Sequence, residues 1–175
     1  MTSLQHLKEA GVNFLAVDFD LTLVDTHTEG RWPGTAPELL RHVRPEMRQL
    51  LRDALDAKLY VAIVTLSPQT TLIREVMRLL FPQDFQLIII RGNSGDWFYA
   101  GQGSLRGKQS HIASAVEELS HAHAAQISRG STLLIDDDAQ NINDALANGV
   151  SALLFVPADP SCVARGIAAL AQSPA

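Results

Sequence analysis

The sequence predicts an α/β protein: a three-layer, Rossmann-like fold with a central five-stranded, mostly parallel sheet and helices on both faces. Three observations predict it. Strand-like and helix-like segments alternate along the whole chain. The strand-like segments are apolar on both faces, as expected where helices cover both sides of a parallel sheet. No internal repeat, low-complexity tract or long linker interrupts the alternation, so residues 1–175 are read as a single domain.

Residues 4–10 read as a short helix closed by Gly11, and residues 12–18 as the first strand. Residues 25–37 are polar and irregular, broken by Gly30, Pro33, Gly34 and Pro37. Pro45 opens a helix where its missing N–H costs nothing, and Met47, Leu50, Leu51, Ala54 and Leu55 form the apolar stripe. Residues 59–65 are the second strand. Ser67 and Pro68 read as the N-cap and first position of the next helix, whose stripe runs from Leu72 to Leu80. Residues 85–90 are the third strand. Residues 91–107 form a glycine-rich loop containing Trp97, Phe98 and Tyr99. Lys108 opens a helix with Ile112, Ala115, Val116 and Leu119 inward. Residues 131–136 are the fourth strand, 141–148 a short helix stopped by Gly149, 152–156 the fifth strand, and 161–171 the last helix.

Composition narrows the function classes. An apolar fraction of 46% with 19% charged residues is globular and argues against disorder. A net charge of −5 supplies no strong nucleic-acid footprint, yet does not exclude a phosphorylated partner met by a lysine in a pocket. A single cysteine, Cys162, excludes an internal disulfide framework and a multi-cysteine metal site. Neither a leader peptide nor a membrane span is expected, and a cytoplasmic setting is the default.

The polar residues fall at strand ends, where open parallel sheets bind ligands. Asp18 and Asp20 follow the first strand. In an extended chain, residues two apart point the same way. Two carboxylates brought together after a buried strand need a cation, or chemistry that uses both. Thr65 ends the second strand, and Asp136 and Asp137 the fourth; Lys108 sits where a loop meets a helix. Each has a plainer reading alone: a loop start, a structural threonine, a solvated lysine, acids capping a helix. Together they assemble four carboxylates, a hydroxyl and one ammonium. A hard cation such as Mg²⁺, with a phosphate, balances that set and points to metal-assisted phosphoryl chemistry.

This ordered set resembles the haloacid-dehalogenase-like (HAD) superfamily in its phosphatase branch. Asp18-Phe19-Asp20-Leu21-Thr22 resembles the first motif. The strand ending in Thr65 resembles the second, and Gly107-Lys108 the third. Leu133-Leu134-Ile135-Asp136-Asp137 with Asn141 resembles the fourth. The resemblance implies that Asp18 is a nucleophile forming an aspartyl-phosphate, and that Asp20 is general acid, then general base. It implies Mg²⁺ held by Asp18, the Asp20 carbonyl and Asp136, with Asp137 close by. Thr65 and Lys108 would hold phosphoryl oxygens, Thr22 would orient the loop and Asp20, and Asn141 belongs to the fourth motif. Dehalogenases of the family lack an acid at the position of Asp20, which favours phosphoester hydrolysis.

Neither gap between motifs has room for a cap domain. The chain resembles the capless members, including the small magnesium-dependent phosphatases, whose open sites commonly meet large substrates such as phosphoproteins. Arg31 and Trp32, with His27, lie where the family places a flap, so Arg31 is expected to meet an anionic group and Trp32 to stack on substrate. Residues 97–99 are a second candidate wall; the alternative is that these aromatics anchor glycine-rich loops. A dimer covering the open site is compatible with the sequence.

A non-enzymatic phospho-receiver is the rival from another class, and an inactive HAD-like binding module a second. In a receiver the paired acids come first and the phosphorylated aspartate stands alone on a later strand; the order here is the reverse. A dinucleotide site is excluded, because the glycines at 101, 103 and 107 have the wrong spacing and lie outside the first strand–helix turn.

Overall fold

The computed structural model describes residues 2–172. Its elements in chain order are α1 (Ser3–Glu9), β1 (Phe14–Val17), α2 (Ala36–Leu40), α3 (Pro45–Asp56), β2 (Tyr60–Val64), α4 (Thr70–Leu80), β3 (Ile88–Arg91), α5 (Gln109–His123), β4 (Thr132–Asp136), α6 (Ala139–Ala147), β5 (Ser151–Leu154) and α7 (Cys162–Gln172). The five strands are all parallel, in the order β3-β2-β1-β4-β5.

The strands separate two cores by simple alternation. Leu15 and Val17 of β1, with Val61 and Ile63 of β2 and Leu133 and Ile135 of β4, face α1, α3, α4 and α7. Phe14 and Ala16, with Ala62, Val64 and Leu134, face α5 and α6. Both faces of β1 are fully buried, which is why its sequence is an unbroken apolar run. The expected three-layer architecture is therefore present, and no further folded unit is inserted between the strands.

Four local expectations are corrected. The chain does not stay extended through Asp20. β1 ends at Val17, and residues 19–23 wind into one wide turn in which Leu23 N–H donates to the Asp18 carbonyl at 3.3 Å and Val24 N–H to that of Phe19 at 3.0 Å. Residues 36–40 form α2 rather than irregular chain, because Thr35 and Glu38 make a reciprocal capping box. α4 starts at Thr70, not at Pro68: Ser67 Oγ accepts the Gln69 N–H at 3.3 Å and closes a turn before the helix begins. The third strand starts at Ile88, because residues 85–87 are spent on a tight helical turn.

Candidate active site

β1 is central, and the chain passes from it to β2 on one side while β4 lies on the other. The carboxyl ends of β1, β2 and β4 therefore converge at one switch point. An open pocket of about 280 Å³ lies there. Asp18, Asp20, Thr65, Lys108, Asp136, Asp137 and Asn141 all line it, so most of the site residues expected from the sequence are brought together.

Asp18 extends the β1 ladder by one bond, its N–H donating to the Ile135 carbonyl at 2.9 Å. Its side chain is buried and paired with the Lys108 ammonium. Lys108 also donates to Asp136 Oδ2 at 2.7 Å. Asn141 Nδ2 donates to the same oxygen at 3.1 Å, and the Asp138 N–H donates to Asp136 Oδ1 at 2.9 Å. Asp136 is thus fixed on both oxygens.

Lys108 reaches this position because of Gly107. Its φ is +54°, and a Cβ there would meet Asn141 Oδ1 at 3.0 Å and Asp144 Oδ2 at 3.1 Å. Only glycine lets the loop press against α6 and turn the next residue inward.

Thr22 is fully buried and does not line the pocket. Its hydroxyl lies 3.2 Å from Asp18 Oδ2 and 3.0 Å from Asp137 Oδ1, and it accepts the Asp137 N–H at 3.1 Å. It ties the β1 turn to the end of β4 and supports Asp18 and Asp137 from behind, rather than Asp20, which the resemblance implied it would orient.

Burial comes first in the electrostatics, and the crowding of carboxylates around one ammonium second. Burial pushes Asp18 above the ordinary carboxylate range; Lys108 opposes this and Asp136 adds to it. Burial works against the Lys108 ammonium, yet Asp18 and then Asp136 outweigh it and hold Lys108 above its usual value. Oxygens of Asp18, Asp136 and Asp137 lie within 4.8 Å of one another. Three carboxylates against one ammonium, with oxygens this close, suit a divalent hard cation.

The loop after β2 lines the pocket with Thr65, Leu66, Ser67 and Pro68. Thr65 Oγ1 accepts the Ser67 N–H at 3.1 Å, which leaves its own hydrogen to donate into the pocket. Gly92 allows this loop to approach the end of β3: a Cβ at Gly92 would collide with the Ser67 carbonyl.

Two expected contacts fall elsewhere. Arg31 and Trp32 do not line the pocket. Trp32 packs on the main core with its ring edge-on to His42 at 5.5 Å, because α2 pulls this segment towards the helix layer. Trp97 likewise anchors its own loop, donating from Nε1 to the Gly92 carbonyl at 2.6 Å and packing on His111 at 4.7 Å. The flap residues that do reach the pocket are His27 and Gly30. His27 Nδ1 accepts the Glu29 N–H at 2.9 Å, so its 3.9 Å approach to Asp20 is not an ion pair through that nitrogen.

Thr28 and Gln69 were not singled out from the sequence. Thr28 Oγ1 donates to the Asp20 carboxylate, 2.8 Å from Oδ1 and 3.0 Å from Oδ2, and accepts from Gln69 Nε2 at 3.0 Å. No spacing signals this pair, because it forms only where two distant loops meet.

No family model and no curated protein matches the chain. A solved structure of an uncharacterized protein from Corynebacterium glutamicum ATCC 13032 is similar, with a TM-score of 0.51 and 17% identity, covering 94% of this chain and 98% of that one. At that identity the likeness concerns the fold alone. Among the described residues, no helix is long and apolar enough to cross a membrane.

Proposed function

We propose that this protein hydrolyses phosphomonoesters through a phospho-aspartate on Asp18, as a capless phosphatase of the HAD type. The observation that carries the reading is the buried Asp18–Lys108–Asp136 constellation, with Asp137 completing a set of oxygens within 4.8 Å. Asp18, Asp136 and Asp137 would hold Mg²⁺, which when bound offsets the charge of the carboxylates and of the phosphoryl group.

The remaining work belongs to the side chains. Lys108 has three ammonium hydrogens; Asp18 and Asp136 take two, and the third is directed to a phosphoryl oxygen. Thr65 donates to another. A carboxylate oxygen of Asp18 attacks phosphorus while the ester oxygen leaves with a proton from the Asp20 carboxyl. Asp20, now a carboxylate, takes a proton from water as that water attacks the acyl phosphate and frees inorganic phosphate. Asp20 suits this task because it lines the pocket and is less buried than Asp18, so that an alcohol can depart and water enter beside it. The open pocket sets no tight limit on the size of the leaving group, in keeping with a phosphorylated macromolecule as substrate.

The test is release of phosphate from an aryl phosphate with and without Mg²⁺. Repeated turnover that requires Mg²⁺ and is lost in Asp18→Asn is expected. A single phosphate taken up and retained marks a receiver domain instead, and full activity in Asp18→Asn removes the proposed nucleophile.

A further inference from the structure

We propose that Gln69 and Thr28 form a two-residue strut that aims the Asp20 carboxyl at the leaving group, making Gln69 a positioning residue for proton transfer to poor leaving groups. The inference rests on the phosphomonoester reading above and adds residues from outside the expected motifs.

The direction of each hydrogen bond is fixed by donor and acceptor chemistry. The Trp32 N–H can only donate, and it points at Gln69 Oε1. The Gln69 amide therefore cannot be reversed, since that would set its NH₂ against the Trp32 N–H. Gln69 Nε2 then donates to Thr28 Oγ1 at 3.0 Å and to Ser67 Oγ at 3.0 Å. Thr28 Oγ1 is occupied as an acceptor, so its one hydrogen is directed at Asp20, between Oδ1 at 2.8 Å and Oδ2 at 3.0 Å. Every arrow runs one way, from the Gln69 amide to the Asp20 carboxyl.

The arrangement also solves a mechanical problem. Asp20 leaves an irregular turn whose next residue, Leu21, has a φ of +60°, so no regular element holds its side chain. Thr28 is buried and touches both Asp20 oxygens, which stops the carboxyl from rotating. Gln69 stands in the loop that presents Thr65 and Ser67, so the strut ties the proton donor to the phosphate-binding loop. A group held by two loops keeps a fixed separation between the phosphoryl oxygens and the departing oxygen.

The consequence depends on the leaving group. When the P–O bond of an alkyl ester breaks, the alkoxide needs the Asp20 proton. A nitrophenolate departs without it. The experiment measures kcat/KM for p-nitrophenyl phosphate and for a simple alkyl phosphate, because kcat/KM reports steps up to ester cleavage and omits hydrolysis of the phospho-enzyme. In Gln69→Ala and Thr28→Val, kcat/KM for the alkyl ester is expected to fall at least about 10-fold, a part of the roughly 10²–10⁴-fold that general acid catalysis supplies. The nitrophenyl ester should change by no more than about 3-fold on the same argument. Thr28→Ser, which keeps the hydroxyl, restores the alkyl ester, and Asp20→Asn marks the full size of the discrimination. Equal losses on both esters, or no loss on either, overturn the positioning role while leaving the phosphatase reading intact. Wild-type protein that turns over neither ester overturns the phosphatase reading and this inference with it.

Discussion

Lys108 brings one positive charge to Asp18 and Asp136 in a place with little water to share the load. Taking one carboxylate out of water costs several kcal/mol, and one ammonium cannot compensate two buried ones with a third, partly buried, beside them. The residue-scale expectation is that metal binding is also folding stability. Mg²⁺ should raise the melting temperature of the wild type, by about 2.7 kcal/mol of stability at a hundredfold excess over Kd. The same titration of Asp136→Asn should show little or no shift, and an equal shift would place the ion elsewhere. Asp18, Asp20 and Asp136 were legible in the sequence because a charge after an apolar strand is conspicuous, and Lys108, at a loop-to-helix junction, only through its order among them. The positions of Arg31 and Trp32 were not, because they depend on a helix that brings Trp32 to the core. Thr28 and Gln69 were illegible for a further reason: a neutral hydroxyl and amide in polar loops carry no anomaly until their partners are known.

At the scale of elements, hydrophobic periodicity located the strands and main helices, and hydrogen bonding decided their ends. The stripes of α3 and α4 and the apolar runs of β1, β2 and β4 were readable because burial dictates composition. The turn after β1 was not, since its wide hydrogen bonds leave no periodic trace. α2 could have been found. Thr35 and Glu38 are spaced as a capping box, but Pro33, Gly34 and Pro37 drew the reading towards a loop. Pro37 lies in the first helical turn, where proline is tolerated. Replacing Thr35 with alanine removes the acceptor for the Glu38 N–H and should cost about 1 kcal/mol. Chemical denaturation checks this, with an unchanged midpoint showing that tertiary packing alone holds α2.

For the whole molecule, the sheet order makes the site a product of the entire fold. Its residues come from separate strand ends, a loop and a helix; each has a plainer reading alone, and only their order along the chain pointed to one site. Global stability should depend on pH through His111, buried at the start of α5 with its Nε2 against Asn93 Oδ1 at 2.9 Å. Burial, then the nearby Lys108 and Arg91 charges, pushes its pKa down to about 4. The unfolded chain keeps a histidine value of about 6.5. Between those values the unfolded state binds the extra proton, so stability rises with pH across that window. Its contribution is complete above the unfolded value and is lost as pH falls towards the folded one. Melting temperatures should decline less steeply over this window in His111→Gln than in the wild type, and identical slopes would assign the loss to other groups.

The central place of β1 also has a consequence for synthesis. Translation delivers β1, β2 and β3 well before β4. Until residues 132–136 leave the ribosome, β1 is paired on one edge only, and that open edge belongs to the most apolar strand of the protein. Asp136, Asp137 and Asn141 arrive with or after the strand that closes this edge. The nascent chain therefore passes through an interval in which its central strand has an open edge and its acidic cluster is incomplete. The same docking event that closes this edge also completes the cluster of Asp18, Lys108, Asp136 and Asp137.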